Sequence, residues 1–278
     1  MGRNRTAAAF ALFAVAVAAL ELLSAAQGVH GSTRPSDLFR TTTLLDRIRE
    51  DPEVFRVLPL HTFLPPNSAT NLDIGDLRGY DALSPRAWRQ RREEIGRFTA
   101  TPTVLDVIEP WNLADRGLAL DEWNVKYLLL HPQFQFGAAK LNAEKSLDLE
   151  EIDSGPDGKL FRNRRVLPRA YLTGAGSVSI RTHLPTKWMF DAESPSPGSL
   201  LVANPMYPGW KSYVDGRSVD IRSATGDRIQ IPLPAGSHRV ELVYRPLSFR
   251  IGVATGIVSL GLLALWISMN GKSESLAG

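Results

Sequence analysis

The chain has 278 residues, no cysteine and a formal charge of only +3. Without thiols there is no disulfide framework, zinc–thiolate centre or cysteine nucleophile. The small charge, with no zinc-knuckle, RNP or basic-zipper pattern, argues against a nucleic-acid partner.

At the N-terminus, MGRNR is followed by the apolar run TAAAFALFAVAVAALELLSAAQG. Two descriptions fit. One is a signal peptide, with a basic start, an apolar centre and Ser24-Ala25-Ala26 as a small-residue cleavage site. The other is a transmembrane helix from about Ala7 to Ala26, interrupted by Glu21, whose carboxylate would face a protein neighbour or the interface. Both send residues 28–250 across the membrane, and Arg3 and Arg5 favour a cytoplasmic N-terminus.

Between the hydrophobic ends, residues 28–157 mix helical and strand patterns. TTTLLDRIRED (41–51) brings Leu44, Leu45 and Ile48 onto one helical face. SPRAWRQRREEIGRF (84–98) opens with Ser84 as an N-cap and Pro85 in the first turn, and Trp88, Ile95 and Phe98 form its stripe. Its arginines (Arg86, Arg89, Arg91, Arg92 and Arg97) read either as a face for anionic headgroups or polymer, or as a solvated face balanced by Glu93 and Glu94. WNVKYLLLHP (123–132) reads as a short buried strand. These segments predict a small α/β lobe with a boundary near Asp153–Asp157.

Residues 158–249 are β throughout. VLPRAYL, SVSIRTH, SLLVANP, WKSYV, RSVDI, RIQIPL and HRVELVY are separated by turn signals, and about seven short strands so spaced read as an antiparallel sandwich. Asp215-Gly216 is the strongest local signal, a two-residue hairpin turn with φ > 0 at both positions. Beyond it, Ile251 to Met269 carries no charge. At about 1.5 Å per residue such a run crosses a hydrocarbon core. A span here returns the C-terminus to the cytoplasm, although Arg245 and Arg250 at its outer end outnumber Lys272 inside. The expected fold class is therefore α+β: a small α/β lobe followed by an antiparallel β-sandwich, flanked by two transmembrane helices. The expected division is a cytoplasmic N-terminus (1–6), a span (7–27), the lobe (28–157), the sandwich (158–249), a second span (250–270) and a cytoplasmic tail (271–278).

Two constellations are candidate ligand sites. In DIGDLRGYD, Asp73, Asp76, Arg78, Tyr80 and Asp81 crowd three carboxylates around one arginine. That set could contact a glycan or hold a hard cation, but it misses the EF-hand spacing, and Arg78 equally reads as an internal ion-pair partner. In NPMYPGWKSYVDGR (204–217), Tyr207, Trp210 and Tyr213 could stack on a sugar ring. Strand alternation puts Trp210 and Tyr213 on opposite faces, so packing is the stronger reading. The five histidines lack metal-ligand spacing, and neither a metal, a cofactor nor a catalytic residue is expected.

Three stretches, NSATNLDIGDLRGYDALSPRAW (67–88), LDEWNVKYLLLHP (120–132) and NPMYPGWKSYVDGR with PLPAGSHRVELVYRP (204–217 and 232–246), occur in an order that resembles the C-terminal extracytoplasmic part of YfhO-type bacterial membrane proteins. The resemblance extends to an acidic residue late in the preceding helix, here Glu21, and so favours a transmembrane helix over a cleaved signal. It implies a polytopic protein similar to GT-C glycosyltransferases, which take sugar from a polyprenyl-phosphate donor and place the catalytic acid in an early extracytoplasmic loop. This chain offers no counterpart of that loop. The expectation is a non-catalytic extracytoplasmic module, truncated or half of a split protein, in the bacterial cell membrane. Its expected partners are the lipid bilayer, a polytopic membrane subunit carrying the catalytic region, and a polyprenyl-phosphate sugar or wall-polymer glycan. The alternative is a stand-alone carbohydrate-binding or wall-associated membrane protein.

Overall fold

The computed structural model describes residues 2–26, 34, 41–61, 63–65, 67–78, 95, 98–99 and 107–275. They fall into two compact units that divide between Thr42 and Thr43. The first contains helix α1 (Gly2–Ala26). Its segment Thr6–Ala26 has a mean hydropathy of 2.2 and buries none of its surface. A long apolar helix with none of its described residues buried has the length and composition of a membrane span.

The second unit opens with α2 (Thr43–Arg49), which buries Leu44, Leu45 and Ile48 as the 3.6-residue periodicity requires. Strand β1 (Arg56–Pro59) follows, then β2 (Phe98–Thr99), β3 (Val107–Ile108), α3 (Gly117–Glu122), β4 (Val125–Leu130), α4 (Gln135–Ala143), β5 (Leu149–Gly155) and β6 (Gly158–Asn163). The lobe sheet runs β1-β4-β6-β5, with β1 parallel to β4 and the other pairs antiparallel. Strand β4 is covered on both faces. Val125, Leu128 and Leu130 enter one core with Leu58, Trp123 and Phe161, while Tyr127 and Leu129 enter another with Leu44, Ile48 and Val57. This explains why VKYLLL is nearly continuously apolar rather than alternating. Most of the helix expected over 84–98 lies outside the described residues. Ile95 is helical and buried, whereas Phe98 already belongs to β2, paired with Ile108.

The expected boundary at 153–157 coincides with the β5–β6 hairpin, and the chain changes sheets only after Asn163. Nine further strands then build the sandwich: β7 (Ala170–Leu172), β8 (Ser177–Leu184), β9 (Lys187–Ser194), β10 (Gly198–Pro205), β11 (Trp210–Val214), β12 (Arg217–Val219), β13 (Arg222–Ala224), β14 (Arg228–Leu233) and β15 (Gly236–Tyr244). The sheet β13-β14-β10-β7 packs on the sheet β12-β11-β15-β9-β8. Trp188, Phe190, Leu200, Val202, Ile229, Ile231, Val240 and Leu242 fill the space between them. Strand β9 pairs with β15 along its whole length and with β8 from Lys187 to Glu193. Its turn, Pro185-Thr186, carries no glycine, so KWMFDAES does not stand out beside the segments expected from composition. Helix α5 (Leu247–Ser275) leaves the sandwich directly after β15. Its segment Leu247–Trp266 is apolar and unburied. The structure is thus an α+β body flanked by two apolar helices.

The β11–β12 hairpin turns at Asp215 (φ 50°) and Gly216 (φ 80°), the two positive φ values a type I′ turn requires. The Asp215 carboxylate accepts from the Arg239 N–H (2.8 Å) and lies 2.7 Å from Nδ1 of His238. The Asp215 partner raises the His238 pKa, and the hydrogen bond from His238 lowers that of Asp215. The histidine contribution to stability is fully present below its ordinary value of about 6.5 and is lost as pH rises through the raised folded value. The aspartate contribution is present above about 3.9 and is lost as pH falls through the depressed folded value. Asp215→Asn is expected to return the His238 NMR titration toward the ordinary value and to flatten the alkaline side of the stability profile. An unchanged titration would contradict the coupling.

Candidate functional site

Segment 74–78 runs along the outer side of β1. Val57 donates its N–H to Gly75 O (2.7 Å), and Leu77 N–H returns to Val57 O (2.9 Å). This carries Asp76 and Arg78 inward. The Arg78 guanidinium donates to Asp76 through Nε (3.2 and 3.3 Å) and Nη2 (2.9 Å), and Nη2 also reaches Leu64 O (2.7 Å). Arg78 is only 3% exposed. Burial pushes the Asp76 carboxyl above its ordinary value, while the Arg78 charge pulls the other way. A carboxylate so engaged is an internal ion-pair partner rather than a free acid or base. Asp73 sits in the left-handed region (φ 57°) with an exposed side chain. Tyr80 and Asp81 lie outside the described residues.

Asp73, Asp76 and Arg78 line one cleft of about 690 Å³, together with three residues that the sequence patterns did not single out: Arg56, Arg169 and His183. Arg56 starts β1 at an irregularity in the β1–β4 register, and Asn204 lies within a shift in the β10–β14 register. Such bulges re-aim side chains. Arg56 Nη1 donates to the carbonyls of Trp123 (2.9 Å) and Ala203 (2.6 Å), and Nη2 donates to Asn204 Oδ1 (3.2 Å). Arg169 Nη2 donates to the same Asn204 oxygen (2.6 Å). The two guanidinium groups therefore meet at one neutral acceptor.

Each also lies over an indole, Arg56 over Trp123 at 5.7 Å and Arg169 over Trp188 at 5.3 Å. Burial pulls the Arg56 pKa down to about 9. It lowers that of Arg169 as well, with the Arg56 charge adding to the effect. A guanidinium is a strong enough base to keep its charge in a protein interior. His183 is held below its ordinary value by burial and then by the charges of Arg169 and Arg56. The sequence signal for this site was a basic residue inside otherwise apolar runs, VFRVLPL and VLPRAYL.

The aromatic turn is built differently. Trp210 leans on the sandwich core, while Tyr213 faces the opposite side of β11 beside Asp215 and His238. The structure does not bring Tyr213 together with Tyr207 and Trp210. It brings in Tyr244 instead, whose ring centroid is 5.2 Å from that of Trp210 and 6.2 Å from that of Tyr207. Tyr207, Trp210, Tyr244, Met206 and Pro185 line an apolar cleft of about 340 Å³. The same turn is fixed to the entry of α5, because Arg245 N–H donates to Gly209 O (2.7 Å). Asn204 lines this cleft while binding the arginines behind it.

Among the described residues no group of three or more His, Asp or Glu side chains is placed to hold a metal ion. No curated protein and no solved structure matches the chain. Residues 123–256, covering β4 through the entry of α5, match the model of the family described as bacterial membrane protein YfhO. Together with two membrane-capable helices, one before and one after the body in sequence, this match makes the C-terminal part of the chain similar to that family of bacterial membrane proteins.

Proposed function

We propose that the body Thr43–Tyr244 stands on the extracytoplasmic side of a bacterial membrane as a non-catalytic module of a YfhO-like glycosyltransferase system acting in the cell envelope. The observation that carries this reading is the mounting of the body. The Tyr207–Trp210 turn is hydrogen-bonded to the residue just before Pro246 and α5, so the sandwich is coupled to a membrane-capable helix rather than tethered by a loose linker. Arg3 and Arg5 support a cytoplasmic N-terminus. The non-catalytic part is supported by the engagement of Asp76 with Arg78. In this role the body would position a lipid-linked sugar or an acceptor glycan for a polytopic partner.

The absence of cysteine makes the topology directly testable. Ser218→Cys, on exposed β12, is expected to react with a membrane-impermeant maleimide in intact cells. Ser273→Cys is expected to react only after permeabilisation. The reverse pattern would overturn the orientation, and sugar transfer by the purified chain alone would overturn the non-catalytic role. A second reading, a stand-alone carbohydrate-binding protein, is favoured by the cleft at Tyr207, a residue that is 42% exposed. Oligosaccharide binding that is lost in Tyr207→Ala, without co-purification of a polytopic subunit, would select it.

A further inference from the structure

Buried cations are normally paired, and each unpaired buried donor calls for an explanation. Arg169 is 8% exposed. Its Nε and Nη1, and Nη1 of Arg78, are buried without a hydrogen-bond partner among the described residues. All three arginines, Arg56, Arg78 and Arg169, line the same cleft.

The carboxylates that share this cleft are committed elsewhere or lie at its rim. Asp51 and Glu53 both pair with Lys126, and Asp51 also accepts from Tyr127 Oη (2.6 Å). Asp76 neutralises Arg78, and Asp73 is exposed. Two inner charges, Arg56 and Arg169, are left converging on one amide oxygen with no counter-ion among the described residues. Their indole neighbours supply cation–π attraction, which lowers the cost of burial without neutralising the charge. Such an arrangement is expensive for folding alone and is what a fixed anion receptor needs.

We propose that the cleft between β1, segment 73–78 and the start of β7 is a binding site for a phosphate group in its doubly charged form, held by Arg169 and Arg56 with Arg78 at its side. The charge count selects the ligand, since two uncompensated guanidinium groups match a dianionic phosphate monoester better than a single carboxylate. The planar guanidinium forks also fit tetrahedral oxyanions. Asn204 is a positioning residue that holds both guanidinium groups in place. The proposal does not depend on which side of the membrane the body occupies. The phosphate could be free or carried on a lipid, because Asn204 also borders the apolar cleft next to α5.

The test uses the full chain in phosphatidylcholine nanodiscs, titrated calorimetrically with inorganic phosphate and melted with and without it. A parallel set of nanodiscs contains phosphatidic acid, a lipid phosphate monoester. Saturable binding of inorganic phosphate, or a higher thermal midpoint in the phosphatidic acid discs alone, supports the site and distinguishes the free source from the lipid-borne one. Either response is expected to weaken at least about tenfold in Arg169→Met, where a charge-assisted contact is lost. Without phosphate, that variant is expected to melt no lower than the wild type, since it removes an unpaired buried charge.

Asn204→Asp provides a second reading that does not require removing an arginine. A built-in carboxylate between the two guanidinium groups is expected to raise the midpoint and abolish the phosphate response. No response to phosphate in either form would overturn the site. So would a response that persists unchanged in both Arg169→Met and Asn204→Asp.

Discussion

Asp76→Ala is expected to lower the stability of the body by about 3–5 kcal/mol, the usual cost of leaving one member of a buried ion pair without its partner. Arg78 donates to the two Asp76 carboxylate oxygens through Nε and Nη2. Its remaining Nη2 contact, Leu64 O, is neutral. Asp76 also accepts the Arg78 backbone N–H at 2.8 Å, so the alanine variant strands a guanidinium and unlatches segment 74–78 from β1. Asp76→Asn keeps the shape but not the charge and is expected to destabilise to a similar degree. Asp76→Leu combined with Arg78→Met should recover most of the loss, because neither charge then has to be buried. Thermal unfolding of the full chain in detergent, followed by tryptophan fluorescence, compares all three with the wild type. A catalytic carboxylate would behave differently, since its amide variant would fold normally and lose only activity. Wild-type stability in Asp76→Asn would therefore refute the structural role assigned here.

How much of this was legible beforehand depends on whether the signal lay along the chain or across it. Local chemistry was readable. Leu44, Leu45 and Ile48 repeat at helical spacing and are buried on α2. Asp215-Gly216 carries the φ values its turn demands, and the alternation from Trp210 to Val214 separates Trp210 from Tyr213. The order of the strand segments and the two apolar ends specified the fold class. Strand β9 escaped because Pro185-Thr186 is an unremarkable turn and Asp191 and Glu193 interrupt its apolar character. Yet it lies between β8 and β15 and contributes Trp188, Phe190 and Ala192 to the core.

The arginine cleft is a long-range construction. Arg56 reaches Ala203 and Asn204 across more than half the chain, and no spacing rule connects these positions. What was visible locally was a guanidinium flanked by valine, leucine and proline, a contradiction of pattern that local reasoning tends to assign to a solvent-facing strand position. Such contradictions are where functional or strained sites are expected. The acidic cluster shows the converse. Its crowding at 73–81 was conspicuous, but the fold uses Asp76 to neutralise Arg78 and leaves Asp73 at the rim.

Gly209→Val is expected to destabilise by about 2–4 kcal/mol, combining backbone strain with overpacking, and to loosen the attachment of α5. Gly209 adopts φ +116°, and a Cβ there would come within 3.0 Å of both Pro246 Cα and Tyr244 Cε2. Backbone at one contact and a packed ring at the other leave little room for adjustment. The valine must push the Tyr207–Trp210 turn away from Arg245–Pro246, lengthening the Arg245 N–H to Gly209 O bond. Gly216→Val is the control. It also places a side chain at positive φ (+80°), but nothing lies within 4 Å of its Cβ, so it carries strain alone.

The difference between the two variants isolates the contact that mounts the sandwich on the membrane helix. Hydrogen exchange of the full chain in detergent is expected to show faster exchange at 244–247 in Gly209→Val, with protection in β9 and β14 retained. Gly216→Val should confine its effect to the β11–β12 hairpin. Equal losses in both variants, with no local opening at 244–247, would mean that the turn merely completes the sandwich. In that case the position of the body over the bilayer would not be set by this joint. If the two variants separate as expected, the clustering of aromatics around a glycine is explained by the need for a rigid joint: Trp210 fixes the turn to the core, Gly209 allows the chain beyond β15 to approach closely, and Tyr244 fills the angle between them.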